Sequence, residues 1–239
     1  MSTSFRPATP DDAAFLGWAI VMAARGHLAR GWFDIVLQRP EEFCIAFCAR
    51  LANAQAKSWW HHSFFTVAEV DGVVAAAACA FPDETPYTVS REAIAEAAQL
   101  SGIEATEQSE LWPRGQFIMS ATSGDDNCWT IENVATRADM RGKGIATELV
   151  RHLVSGFFGN GPRKAQISFL IGNEAAEHCY LGCGFSFADG HSEVKKWKDG
   201  RTLTRPMLTT YTTRFPYAVF QPNSLDIAWV QDRTSAKAK

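Results

Sequence analysis

Residues 138–154, "ADMRGKGIATELVRHLV", set two glycines around a lysine at the mouth of an amphipathic helix. Beyond Gly144, the apolar residues Ile145, Leu149, Val150, Leu153, Val154 and Phe157 recur at helical spacing and gather on one side. Glycine loses more conformational entropy on folding than any other residue, so a close pair indicates a backbone that must approach something. A helix N-terminus offers unpaired N–H groups and a partial positive charge, which suits an anion. Arg141 and Lys143 add positive charge at the same place. A Gly-x-Gly here also serves plain strand-to-helix turns, and the motif alone does not separate the two readings. Nucleotide loops fit poorly. A Walker loop needs Gly-Lys followed by Ser or Thr, yet Gly144 follows Lys143; a dinucleotide fingerprint needs glycine where Thr147 stands.

The flanking sequence alternates strands and helices. "CWTIENVAT" (128–136) reads as a strand entering the loop and "KAQISFLIG" (164–172) as the strand after the helix. "NEAAEHCYLGCGF" (173–185) reads as a short helix ended by Gly184. Towards the N-terminus, "SFRPATPDD" is a short extended piece and then a helix start, with Thr9 as N-cap, Pro10 at the first helical position and Asp12 in the first turn. A second helix is expected over about 40–56. "SFFTVAEVDGVVAAAACAF" (63–81) reads as two strands turning at Asp71-Gly72, and the small residues Ala75–Ala80 imply an element packed closely over the second. Residues 83–127 are polar and punctuated by Pro and Gly, with one helix over about 90–100. They read as an insertion, since they hold too few apolar residues for a core of their own. "VKKWKDGRTLTRPMLTTY" (194–211) reads as a hairpin turning at Asp199-Gly200. The whole is a single α/β domain over 1–239 on a mixed sheet, with a core of about 4–211 and an extension at 212–239.

Composition narrows the function. A 46% apolar and 21% charged chain is that of an ordinary globular protein. The net charge of −3 argues against a nucleic-acid binder. No apolar run reaches membrane-spanning length, and the first residues lack a secretory signal. The expected setting is therefore cytoplasmic, with the six cysteines as thiols. Cys44/Cys48 and Cys179/Cys183 have i,i+4 spacing, which is no zinc-ribbon pattern, and no metal is expected.

Two signatures in order resemble those of the GNAT N-acetyltransferase superfamily. Its first motif, Gln/Arg-x-x-Gly-x-Gly/Ala, is met by Asp139-Met140-Arg141-Gly142-Lys143-Gly144, with Asp139 the one departure. The second, N-x-x-A-x-x-x-Y-x-x-x-G-F, is met at Asn173, Ala176, Tyr180, Gly184 and Phe185. The resemblance implies an acyl-CoA N-acyltransferase fold, a mixed central sheet flanked by helices, interrupted by the insertion between the third and fourth strands. It implies acetyl-CoA as acyl donor, its pyrophosphate on Arg141, Gly142, Lys143, Gly144, Ile145 and Ala146. In this fold the strand before the loop parts from its neighbour at a bulge, and the pantetheine arm fills the gap. That assigns the arm to the backbone of Val134, Ala135 and Thr136 and to Asn173, Ala176 and Tyr180.

The implied reaction is direct attack of a primary amine, of a small molecule or a peptide, on the thioester. An alkyl ammonium has a pKa near ~10, so a base must deprotonate it. Strand alternation puts Thr130, Glu132 and Val134 on one face. With Val134 at the implied cofactor contact, and an acid or histidine often on this face in the family, the resemblance makes Glu132 the candidate base, with an ion-pair or substrate-anchoring role as its alternative. The family's general acid falls on Tyr180, whose phenol can protonate the departing thiolate. His27, Arg30 and Trp32 lie in the connection that lines the acceptor cleft in this fold, whereas His61 and His62 are expected at the surface. A homodimer is compatible with this reading. The rival on the same fold is a non-catalytic module that binds acyl-CoA or a protein partner.

Overall fold

The computed structural model describes residues 2–82, 87–115, 128–158, 164–170 and 172–185. The Asp199-Gly200 hairpin, the extension at 212–239 and parts of the insertion lie outside them. Contacts partition the chain after Gly184, and the elements below belong to the first part.

Five strands form one mixed sheet in sequence order: β1 (Thr3–Pro7), β2 (Phe65–Val70), β3 (Val73–Pro82), β4 (Cys128–Thr136) and β5 (Lys164–Ile167). The first three junctions are antiparallel and β4–β5 is parallel. The β2–β3 hairpin turns at Asp71-Gly72, both at positive φ, as the sequence predicts. Seven helices are described: α1 (Ala13–Arg25), α2 (Trp32–Leu37), α3 (Glu41–Ala52), α4 (Tyr87–Leu100), α5 (Ala105–Gly115), α6 (Ile145–Phe158) and α7 (Glu174–Gly182). Thr9 caps a 3-10 turn that leads into α1; its N–H donates to the Asp12 carboxylate at 2.7 Å. Asp12 also accepts from Arg6 at 2.8 and 2.9 Å, which holds its carboxyl down at about 2.

The alanines of β3 sit between two layers. Ala77, Cys79 and Phe81 join Leu16, Ile20, Phe33, Phe47 and Leu51 in the core under α1–α3. Ala76, Ala78 and Ala80 alternate to the opposite face, where α6 lies and buries Ile145, Leu149 and Val150. A larger side chain in place of any of these alanines would press on one layer. Among its described residues the insertion carries two helices, where one was expected. Ala93, Ile94, Ala97 and Ala98 of the first, Leu111 of the second and Ile103 between them enter the main core.

His61 departs from the surface position expected of it. It is 6% exposed, and its Nδ1 accepts from the Ser63 N–H at 3.2 Å. That bond needs a neutral ring, and burial, then the adjacent His62, holds its pKa down at about 4. The unfolded chain takes up this proton near pH 6.5, so the contribution is complete above that pH and is lost as pH falls towards 4. Urea denaturation should therefore show about 1–2 kcal/mol less stability at pH 5 than at pH 7.5. His61→Asn should flatten that part of the profile, and an unchanged slope would refute the assignment.

Candidate active site

The site begins with an irregularity in β4. The β3–β4 register runs Cys79 opposite Glu132 and then Ala77 opposite Ala135, so β4 holds one extra residue there. Asn133 takes it up at φ +53°, a conformation asparagine tolerates better than most residues, and its Nδ2 donates to Cys79 Sγ at 3.2 Å. The bulge alters the expected alternation. Thr130 and Glu132 do share a face, but the next residue in register on it is Ala135, not Val134. Within the described residues, β5 pairs with β4 only from Cys128 to Ile131, so the parallel ladder stops where the bulge begins. From Glu132 to Thr136 the strands have parted.

The glycine loop lies at the end of that gap. Gly142 (φ +73°) and Gly144 (φ +79°) both adopt left-handed backbone, and a Cβ built on either meets nothing within 4 Å. These glycines are therefore required by conformation and open approach, not by crowding within the chain. Helical bonding resumes with the Glu148 N–H to the Gly144 carbonyl at 3.0 Å. Among the described residues, the amides of Gly142, Lys143, Gly144, Ile145, Ala146 and Thr147 donate to no carbonyl. Arg141 ties the loop back to β4 through Nε to the Thr136 carbonyl at 3.2 Å. Asp139 is turned away to a two-point pair with Arg137, at 2.8 and 3.1 Å. An exposed cradle of unpaired donors beside two cations can hold a multiply charged anion.

Helix α7 stands over the start of α6. Asn173 caps it, with Oδ1 accepting from the Ala176 N–H at 3.2 Å. Tyr180 is buried, packs edge-on to Phe169 at 5.9 Å, and burial pushes its phenol pKa well up. A proton on that oxygen is thus secure at neutral pH. Thr147 Oγ1 donates to Cys179 Sγ at 3.5 Å, Cys183 Sγ donates to the Thr147 carbonyl at 3.4 Å, and Arg151 Nη2 donates to the Gly182 carbonyl at 2.6 Å. These contacts join the signature helix to the first turns of the loop's helix.

Residues 33–185 match the Acetyltransferase (GNAT) family. The chain belongs to that family. Its fold is shared with an N-acetyltransferase from Staphylococcus aureus Mu50, at 22% identity over 77% of this chain and 90% of the other, with a TM-score of 0.59. A second acetyltransferase aligns at 20% identity over 77% and 89%, also with a TM-score of 0.59. A putative acetyltransferase from Salmonella typhimurium, solved with its cofactor acetyl-CoA, aligns at 15% identity over 78% and 80%, with a TM-score of 0.44. No curated protein matches in sequence.

On this GNAT frame Glu132 stands on β4 beside Cys79, half-buried, and Tyr180 on the helix after β5. Burial and then Glu132 push the Cys79 thiol pKa up. The two candidate catalytic groups thus belong to the two sides of the strand split. Among the described residues, no cluster of His, Cys, Asp or Glu could hold a metal, and no helix is long and apolar enough to cross a membrane.

Residues 26–31, between α1 and α2, approach the second signature. Gly26 (φ +58°) is so placed that an added Cβ would lie 3.1 Å from Asn173 Nδ2 and 3.3 Å from Leu170. One added at Gly172 would lie 3.5 Å from His27 Nε2. This connection is anchored by Asp34, which accepts from the Gly31 N–H at 2.7 Å and from Arg25 at 2.6 and 2.9 Å. Arg25 also pairs with Glu41. Its hydrogen bonds hold the Asp34 carboxyl below the usual carboxylate range. Asp34→Asn leaves a mostly buried guanidinium half-paired, and should destabilise the fold by about 2–4 kcal/mol in urea denaturation. A loss under about 0.5 kcal/mol, the range of ordinary surface changes, would show that the anchor is dispensable.

Trp32 donates through Nε1 to the Gly115 carbonyl at 3.0 Å and packs on Trp60 at 6.0 Å, so the insertion helix α5 rests against this same region. Sequence reasoning missed α2 and its Asp34 anchor. The only local signal is Asp34 three residues after Gly31, a short capping pattern in an unpromising stretch.

Proposed function

We propose that this chain is an acetyl-CoA-dependent N-acetyltransferase that moves the acetyl group to a primary amine by direct attack on the thioester. The observation that carries the reading is the run of unpaired amides from Gly142 to Thr147, opening beside the point where β4 and β5 part. The cradle fits a pyrophosphate: it is exposed, no Cβ fills it, and Arg141 and Lys143 flank it. The backbone of Val134, Ala135 and Thr136 would accompany the pantetheine arm, with Asn173 and Ala176 on its far side. When bound, acetyl-CoA supplies an activated acyl carbon.

The chain's residues supply the proton transfers. Glu132, directly or through water, takes a proton from the acceptor ammonium, and the freed nitrogen forms its bond to the acyl carbon. Backbone donors near Val134 stabilise negative charge developing on the carbonyl oxygen. As the C–S bond breaks, Tyr180 gives its proton to the sulfur, and the second proton shed by the acylated nitrogen leaves through solvent, which returns one to the phenol. The exposed rim of His27, Leu28 and Leu170 faces the acceptor, which suits an amine with some apolar surface.

Titration calorimetry with acetyl-CoA, then a screen of small amines and peptide N-termini for thiol release, tests the proposal. One-to-one binding and amine-dependent release support it. Binding without release from any amine would favour the non-catalytic reading.

A further inference from the structure

We propose that Cys179 and Cys183 form a reversible thiol–disulfide pair whose oxidation loosens the acyl-CoA cradle. Among the cysteines whose side chains are described, Cys44, Cys48 and Cys79 are fully buried. Cys179 and Cys183 are partly exposed, and each sulfur is hydrogen-bonded to Thr147. They lie i,i+4 on α7 with Tyr180 between them in sequence, and both contact Thr147, the last residue of the unpaired amide run.

Their placement makes oxidation consequential. Cβ atoms four residues apart on a helix are about 5–6 Å apart. A disulfide needs about 3.5–4.5 Å. Cys183 is the C-cap of α7, bonded through its N–H to the Cys179 carbonyl at 3.1 Å, so the last turn can yield. Closing the bond removes the S–H that Cys183 donates to Thr147 and draws both sulfurs together. One of the two sulfur contacts between α7 and the first turn of α6 is thereby lost, and the other is displaced. A disulfide that forms only by deforming its helix is also readily reduced, as a switch requires.

The chemistry balances with a peroxide as the two-electron oxidant. The Cys179 thiol and hydrogen peroxide give the Cys179 sulfenic acid and one water. The Cys183 sulfur then attacks the Cys179 sulfur, forming the S–S bond and releasing a second water. Cys183 is the resolving thiol because its S–H is donated to the Thr147 carbonyl, whereas the Cys179 sulfur only accepts from the Thr147 hydroxyl and keeps its own S–H free of that contact. The effect on acyl-CoA rests on the function proposed above, whereas formation of the bond does not.

The test uses the full chain. Trypsin cuts after Lys164 and Lys195, so one peptide carries Cys179 and Cys183 and no other cysteine. After mild peroxide treatment, that peptide should lose the mass of two hydrogens and regain it with dithiothreitol. Acetyl-CoA affinity should fall on the order of tenfold and recover in parallel. Cys183→Ser keeps a hydroxyl donor for Thr147, so it should bind acetyl-CoA as the untreated protein does and resist the peroxide effect. Oxygen additions without hydrogen loss, or a disulfide with unchanged affinity, would overturn the proposal. If the reduced protein itself fails to bind acetyl-CoA, the proposed function fails, and the peptide mass still decides whether the pair forms.

Discussion

Gly142→Asp is expected to weaken acetyl-CoA binding by about ten-thousandfold. A carboxylate about 4 Å from one phosphate charge is opposed by roughly 4 kcal/mol at an effective dielectric of 20. Each 1.4 kcal/mol is a factor of ten. The backbone at φ +73° adds about 1–2 kcal/mol of strain for any residue with a side chain. Gly142→Ala carries only that strain and should lose on the order of tenfold. Nothing lies within 4 Å of a Cβ at this position, so neither variant meets a steric clash in the folded protein. Calorimetry beside a melting curve separates the effects. Equal losses for alanine and aspartate would mean that no anion sits there, and equal affinity in all three proteins would remove the cradle from the account.

Tyr180→Phe is expected to lower kcat by about 10²–10⁴ while acetyl-CoA affinity stays within a few-fold. The phenylalanine ring keeps the edge-on packing against Phe169, so the loss falls on the proton rather than on the fold. A thioester with a more acidic leaving thiol should narrow the gap between wild type and variant, because its sulfur needs the donor less. Glu132→Gln should produce a kcat loss of similar order and abolish the acidic limb of the pH–rate profile. Its half-buried place beside Cys79 also allows the structural role weighed against it. In that case stability would fall and the pH profile would keep its shape.

The loop and the α7 signature were legible in the sequence because their physics is local. Gly142 and Gly144 report backbone angles, and Asn173 caps the helix that follows it. The same holds for Thr9, whose partner Asp12 is three residues away. The bulge was expected from the family, but its consequence for side-chain faces was not legible. It depends on how β4 pairs with β3, and the local sign is one asparagine able to adopt positive φ. Alternation counted through Asn133 therefore put Val134 where Ala135 is in register. Helix α2 was missed because six residues show no period and its start depends on Asp34 meeting Arg25 from another helix. His61 reads as polar and junctional, and its burial is a tertiary outcome. Acceptor preference stays illegible for the same reason, since the rim is assembled from segments distant in the chain.

The most direct test of the account is to mix the protein with acetyl-CoA alone, add a productive amine, and follow free thiol and intact protein mass together. Direct attack predicts no thiol release and an unmodified protein until the amine arrives, then thiol and acetylated amine in equal amounts. An acetyl adduct on the protein before the amine is added, or thiol release that ignores the amine, would contradict it.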